Sequence, residues 1–390
     1  MTGALVVVGL LAACRPAPAP GADQPEPTRV EVVPTPDGGI QPQAAVDAGG
    51  TVHVVYFKGS PPAGDLFYTR MGPSEAAFSA PTRVNSQRAS AVASGTIRGA
   101  QLALGRGGRV HVAWNGSDRA EPRNPFGSTP MLYASLKPGG DGFGPQRNLM
   151  AKTSALDGGG SVAADDAGNV HVAWHGLAEG SPEGERNRRV WVARSADDGE
   201  TFGPERPALD AETGACGCCG TKALADRRGS VYLLYRAATD NVGRDMYLLS
   251  SRDRGAHFRG AMIQPWKLDA CPMTSASLAE SPDGVLAAWE TEQQVYYAKV
   301  DPETSKLSSP IAPPGGRGRK HPAVAGNARG ETILAWAEGT GWQRGGALAW
   351  QVFDRAGRPT GPRGRVEGGI PTWGLPAVVA RPDGGFLLIH

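Results

Sequence analysis

Three of the five cysteines in this 390-residue chain lie within four positions, Cys216, Cys218 and Cys219 in the stretch GACGCCG. A fourth, Cys271, follows in DACPMTS, two residues before Met273. Sulfur this dense supports three chemistries. Thiolates with a thioether suit a soft ion such as Cu(I), and thiolates with an imidazole such as His321 suit zinc, although C-x-C-C…C-P-M is not a standard zinc spacing. In an oxidising compartment the same residues close disulfides. A bridge from Cys271 to one of the trio is then the reasonable pairing, because adjacent Cys218 and Cys219 would bridge under strain. A nucleophilic cysteine would need a positioned His or Asn, and no partner is evident. Cu or Zn is therefore a possible cofactor and none is firmly implied; the compartment decides between metal and disulfide.

The compartment is legible at the start of the chain. ALVVVGLLAAC is an apolar run too short to span a bilayer, and it closes on Leu11-Ala12-Ala13-Cys14. Small residues directly before a cysteine resemble the bacterial lipobox. That resemblance implies a signal peptide over residues 1–13, cleavage before Cys14, and lipid on its thiol. Residues 14–26, RPAPAPGADQPE after the cysteine, read as a Pro-rich tether that cannot pack a core. Arg15 in place of an aspartate suggests, by the same resemblance, the outer membrane of a Gram-negative cell envelope. Export favours oxidation, so the disulfide reading leads, with metal ligation its rival. The lipid would be the protein's one hold on the membrane. A formal net charge of +2 gives no bulk field for nucleic acid, so no such partner is expected.

The elements that must position the cysteines form a repeat. GTVHVVY, GRVHVAW, GNVHVAW, GSVYLLY, GVLAAW, ETILAW and GGFLLIH are each a turn followed by an alternating β run. They end on a column of residues, Tyr56, Trp114, Trp174, Tyr235, Trp289, Trp336 and His390, spaced 47 to 61 positions apart. A strand-only period of this length predicts an all-β fold, a β-propeller of four-stranded blades over residues 27–390. Seven blades are favoured and six are the alternative. PTRV at 27–30 echoes the outer-strand PTRV at 81–84, so an N-terminal strand is expected to close a last, three-stranded blade. His53, His111 and His171 occupy one equivalent position in successive repeats, which points to packing before metal binding. The aromatic column reads as core between blades.

Two turns carry a further pattern. SADDGETF (Ser195, Asp197, Gly199, Phe202) and SRDRGAHF (Ser251, Asp253, Gly255, Phe258) fit S-x-D-x-G-x-x-F. They resemble the Asp-box, or BNR repeat, of the sialidase superfamily, in which such turns are structural and lie opposite the active site. The resemblance implies a propeller fold more than an activity. Sialidases use three arginines, a tyrosine–glutamate pair and an acid/base aspartate; here the Arg-Ile-Pro motif is missing and no tyrosine follows Tyr297.

Propeller geometry places the cysteine loops at the funnel mouth, on the face away from the Asp-box turns. Loops expected there bring Arg98, Asp157, Arg236, Arg244, Asp245, Arg319, His321 and Trp373 as ligand-binding candidates, with Asp157 and Glu183 the carboxylates to inspect for glycosidase chemistry. The sequence thus reads as an envelope lipoprotein binding a glycan, peptide or protein at this mouth, leaning non-catalytic. An exo-sialidase-like glycoside hydrolase and a soft-metal protein are the alternatives.

Overall fold

Alternation of apolar and polar residues yields strands, and the turn residues between them fold the strands into seven small sheets. The computed structural model describes Met1, Gly3 and residues 28–95 and 98–390; the apolar run, Cys14 and the Pro-rich tether lie outside the described residues. Blade 1 runs Ile40–Val46, Val52–Ser60, Ala63–Met71 and Thr82–Arg83, each strand antiparallel to the last. Blades 2, 3, 4 and 6 repeat this order, and blade 3 gains a short extra strand, Thr153–Ser154, on the end of Val170–Ala178. In blade 5 the fourth strand is reduced to single bridges from Tyr297 to Ile311 and Val300 to Leu307. The inner strands of every neighbouring pair of blades touch, blade 7 against blade 1 included, so the ring is a closed seven-bladed propeller.

Blade 7 shows how the ring closes. Ala377–Ala380 and Phe386–Ile389 are its first two strands, and Val30–Val33 is the third. Val30–Val33 pairs parallel to Phe386–Ile389, where every other neighbour in the ring is antiparallel. In a blade that folds back and forth, the fourth strand points the same way as the second. The N-terminal segment enters blade 1 as an outer strand would, and it fills the vacant third place while keeping the outer strand's direction.

The column residues do what their period demands. Tyr56, Trp114, Trp174, Tyr235, Trp289 and Trp336 are all buried in the packing between blades. The repeated histidines are also packing elements. His53 Nδ1 lies 2.8 Å from the Tyr68 hydroxyl and His111 Nδ1 lies 2.7 Å from that of Tyr133.

The turn at Ser195 closes through its own side chains: the Ser195 hydroxyl donates to Asp197 at 2.7 Å, and the Thr201 amide donates to the same carboxylate at 2.9 Å. The turn at Ser251 matches it, with 2.7 Å to Asp253 and 2.9 Å from the His257 amide. Gly199 and Gly255 have φ of +79° and +76°. They also have no room for a side chain. A Cβ on Gly199 would strike the Tyr133 hydroxyl, and one on Gly255 would strike the His171 ring, each belonging to the preceding blade. These turns therefore tie one blade to the next on the face opposite the cysteines.

Through the middle runs a channel of about 1170 Å³ lined by the inner strands of all seven blades. Lys222 of blade 4 crosses it, donating from Nζ to Gln43 of blade 1 at 2.9 Å and to Gln101 of blade 2 at 2.8 Å. Burial pushes the Lys222 ammonium down to about 8.

Candidate functional site

The cysteine stretch sits in the loop joining the outer strand Arg206–Pro207 of blade 3 to the inner strand Lys222–Ala225 of blade 4. Its backbone is fastened on all sides. The Cys219 amide donates to the Cys216 carbonyl at 3.2 Å, which makes residues 216–219 a tight turn. The Cys216 amide reaches the Arg236 carbonyl at 2.9 Å, and the Thr221 amide reaches that of Gly159 at 2.8 Å. Glu185, from the long loop of blade 3, accepts the Gly217 amide at 2.6 Å. The turn gathers three thiols: Cys216 Sγ lies 3.4 Å from Cys218 Sγ and 3.3 Å from Cys219 Sγ. Cys216 and Cys219 are buried and Cys218 is partly exposed.

Cys271 does not join them. It is exposed, outside the group, and all four cysteines are free. The expected convergence of Cys271 with the trio is thus absent; Met273 and Thr274 continue its segment, and it is the Thr274 carbonyl that meets the cysteine loop, accepting the Gly220 amide at 3.3 Å. His321 also stands apart from the thiol group. Its Nδ1 faces the Ser275 hydroxyl at 3.3 Å, and burial, with Lys320 beside it, pushes the imidazole down to about 3.

The arginines predicted for this face are all present, and each is already paired. Arg98 meets Asp157, which Arg188 also approaches at 3.9 Å. Burial opposes ionisation of Asp157, but the Arg98 guanidinium outweighs it and holds the carboxyl below its ordinary value. Arg244 pairs with Glu185 at 2.7 Å. Arg236 faces Glu290 at 4.0 Å with both side chains 1% exposed, and burial raises the Glu290 carboxyl against the pull of Arg236. Arg319 lies 3.4 Å from Glu338, donates to the Pro313 and Pro314 carbonyls, and stacks 4.9 Å over Trp336. Asp245 is spent on the chain itself, accepting the Trp266 amide at 2.8 Å. Glu183, the second carboxylate to inspect, is exposed on its loop; Glu185, two positions on, is the one that enters the site.

Sequence reasoning missed Glu185, Glu290, Lys320 and His175, whose Nε2 lies 3.1 Å from the Cys219 carbonyl. It also missed Trp342. This residue is 63% exposed in the second-to-third strand loop of blade 6 and meets Trp373 edge to face, with centroids 4.8 Å apart. Trp373 enters from the loop leading into blade 7 and is buried at 8% exposure, so Trp342 stands as an aromatic ledge braced by it on the same face as the cysteines. The backbone prepares this placement. Gln41, Ala155, Met273, His321 and Trp373 all take positive φ at the entry to an inner strand.

No family model and no curated protein matches the chain. Among solved structures it is similar to an alpha-L-arabinofuranosidase from Fusarium graminearum crystallised with an iminosugar inhibitor. The two share 11% identity over 84% of this chain and 98% of that one, with a TM-score of 0.54. It is similar also to an alpha-L-arabinanase from Penicillium chrysogenum in complex with arabinobiose, at 13% identity over 84% and 98% of the chains and a TM-score of 0.52. The likeness shows a β-propeller fold. The NanB sialidase of Streptococcus pneumoniae overlaps 88% of this chain at 11% identity and a TM-score of 0.45; the chain spans 64% of that sialidase's length. At these identities the likeness concerns the propeller alone, and chemistry has to be argued from the site.

Proposed function

We propose that this propeller is a cell-envelope protein that binds a neutral glycan on the face carrying the cysteine loop and the aromatic ledge, without cleaving it. The observation that carries the reading is Trp342, an indole 63% exposed and held edge to face against buried Trp373, an apolar ring of the kind on which a pyranose or furanose stacks, beside polar loops. The paired arginines set the charge of the ligand. A sugar carboxylate would need guanidinium groups free to receive it, and Arg98, Arg236, Arg244 and Arg319 each answer a carboxylate of the protein. The same pairing argues against hydrolysis, which needs two carboxyl groups facing one bond, one of them protonated. Burial holds the Glu290 carboxyl above its ordinary value, as a proton donor requires, but its side chain is 1% exposed and lies against Arg236. We read the Ser195 and Ser251 turns as Asp-boxes with a purely structural role.

The test is titration of the full chain with neutral arabino- and gluco-oligosaccharides, followed by tryptophan fluorescence and calorimetry. Trp342→Ala should weaken binding by roughly 30-fold, the loss typical of a tryptophan hot spot. Unchanged affinity in that variant, or binding confined to acidic sugars, would sink the reading, and release of shortened sugars would favour a glycoside hydrolase. The anchoring part of the proposal has its own check. Cys14→Ser should move the protein from the membrane fraction to the soluble one, because lipid on Cys14 is the hold proposed. Variant protein that stays membrane-bound after a salt wash would refute it.

A further inference from the structure

We propose that Cys216, Cys218 and Cys219 together form a trigonal all-thiolate site for one Cu(I) ion. The inference is independent of the glycan reading. Their three sulfurs lie within 4.8 Å of one another, and among the described residues no His, Asp or Glu completes the group. That donor set matches a soft monovalent ion content with three sulfurs. Zinc, which takes four ligands in structural sites, would be left one short. The spacing contributes: Cys216-Gly-Cys-Cys219 includes a C-x-x-C pair folded into a hydrogen-bonded turn, with Cys218 supplying the third donor from within the turn. With metal–sulfur bonds of roughly 2.3 Å, a planar trio needs sulfurs roughly 4 Å apart. The present 3.3 and 3.4 Å separations reach that by side-chain movement of about half an ångström.

The surroundings are built for negative charge. Binding displaces three thiol protons and leaves a complex of net charge −2 from three thiolates and one Cu(I). Arg236 and Arg244 flank the loop with side chains 1% and 5% exposed, and the Nε–H of each is buried with no hydrogen-bond partner. Both guanidiniums are paired through their terminal nitrogens, and the buried Nε–H groups that remain are costly unless an acceptor forms nearby. Partly exposed Cys218 gives the ion a way in, and the fastened backbone pre-forms the turn.

The experiment titrates reduced full-length protein, kept free of oxygen, with Cu(I) in competition with a chromophoric Cu(I) chelator. The expected result is one equivalent withdrawn from the chelator, a near-ultraviolet thiolate-to-copper band, and a sulfur-only first shell with three scatterers by X-ray absorption. Cys218→Ser should weaken retention at least as much as the roughly 10–100-fold that loss of an outer-shell partner costs. Cys271→Ser should match wild type. A second measurement does not depend on any variant folding: in wild-type protein, Cu(I) should protect three thiols from alkylation and leave Cys271 reactive. Three results would each overturn the proposal. They are retention unchanged in Cys218→Ser, no copper held by wild type, and a Cys216–Cys219 disulfide in peptide maps of protein isolated without reductant.

Discussion

Between pH 6.5 and about 4 the melting temperature should fall steeply, and His171→Leu should make that fall shallower. Four of the histidines buried in this fold carry the effect. Burial pushes His111, His171 and His175 down to about 4 and His321 to about 3, with Arg109, Arg194, Arg188 and Lys320 respectively adding to the effect. In the unfolded chain the same groups titrate near 6.5. Below that value the unfolded state binds protons that the folded state refuses, so stability drops as the pH falls. The contribution is complete above 6.5 and is lost down to the folded values. Asp197, held at about 2 by hydrogen bonds from Thr201 and Ser195, extends the loss: its contribution is present above 3.8 and disappears as the pH falls through about 2. His171 isolates the effect, because neither ring nitrogen has a hydrogen-bond partner, so leucine removes the titration without removing a bond. Melts recorded by near-ultraviolet circular dichroism at half-unit pH steps would decide it. A wild-type melting temperature that stays level across this window would contradict the account.

Arg236→Ala should destabilise the protein by about 3–5 kcal/mol, the usual result of removing one partner from a buried ion pair. Arg236 and Glu290 are both 1% exposed, and the guanidinium also donates to the Arg244 carbonyl at 2.6 Å and lies 5.0 Å over the Trp266 ring. Without it, Glu290 keeps the Gln293 amide at 2.6 Å but loses its counter-charge. The loss should therefore be partly reversible in a defined way. Arg236→Met combined with Glu290→Gln removes both charges while the amide oxygen still receives the Gln293 donor, and it should recover at least half of the deficit. Urea unfolding of wild type and these variants measures this. A cost below about 1 kcal/mol for Arg236→Ala, the range of an exposed pair, would show that the site is wetter than its burial implies.

Most of the fold is legible in the period of the sequence. An alternating run after each turn and a buried aromatic at its end identify the second strand of each blade, because a two-residue repeat leaves no other way to hide both Val112 and Trp114. The echo of PTRV locates the closing strand. Its parallel pairing is not legible, since direction depends on which place in blade 7 is vacant. The site is legible by residue type and less so by partner. Arg98, Arg236, Arg244 and Arg319 fall on the expected face, but Asp157, Glu290 and Glu185 come to the first three from other loops or other blades, and sequence spacing holds no record of such meetings; Glu338 faces Arg319 across one hairpin of blade 6. The sulfur trio is visible because all its members share one turn. The separation of Cys271 is not, because a shift of a few residues in a loop decides whether a side chain points in or out. Trp342 is inconspicuous in GTGWQRGG, whose other residues give no hint of a surface ring.

The parallel seam in blade 7 has a mechanical consequence. Val30 pairs with Phe386 and Val33 with Ile389, so the two chain ends leave this seam from opposite edges. A tug applied through residue 28 on one side and His390 on the other would slide the two strands lengthwise and strain their hydrogen bonds together. Had the strands run antiparallel, the same tug would start at a single edge and peel the bonds apart one after another, like a zip. The weakest-looking blade, one strand short, is thus oriented to resist force along the line on which the chain would deliver it.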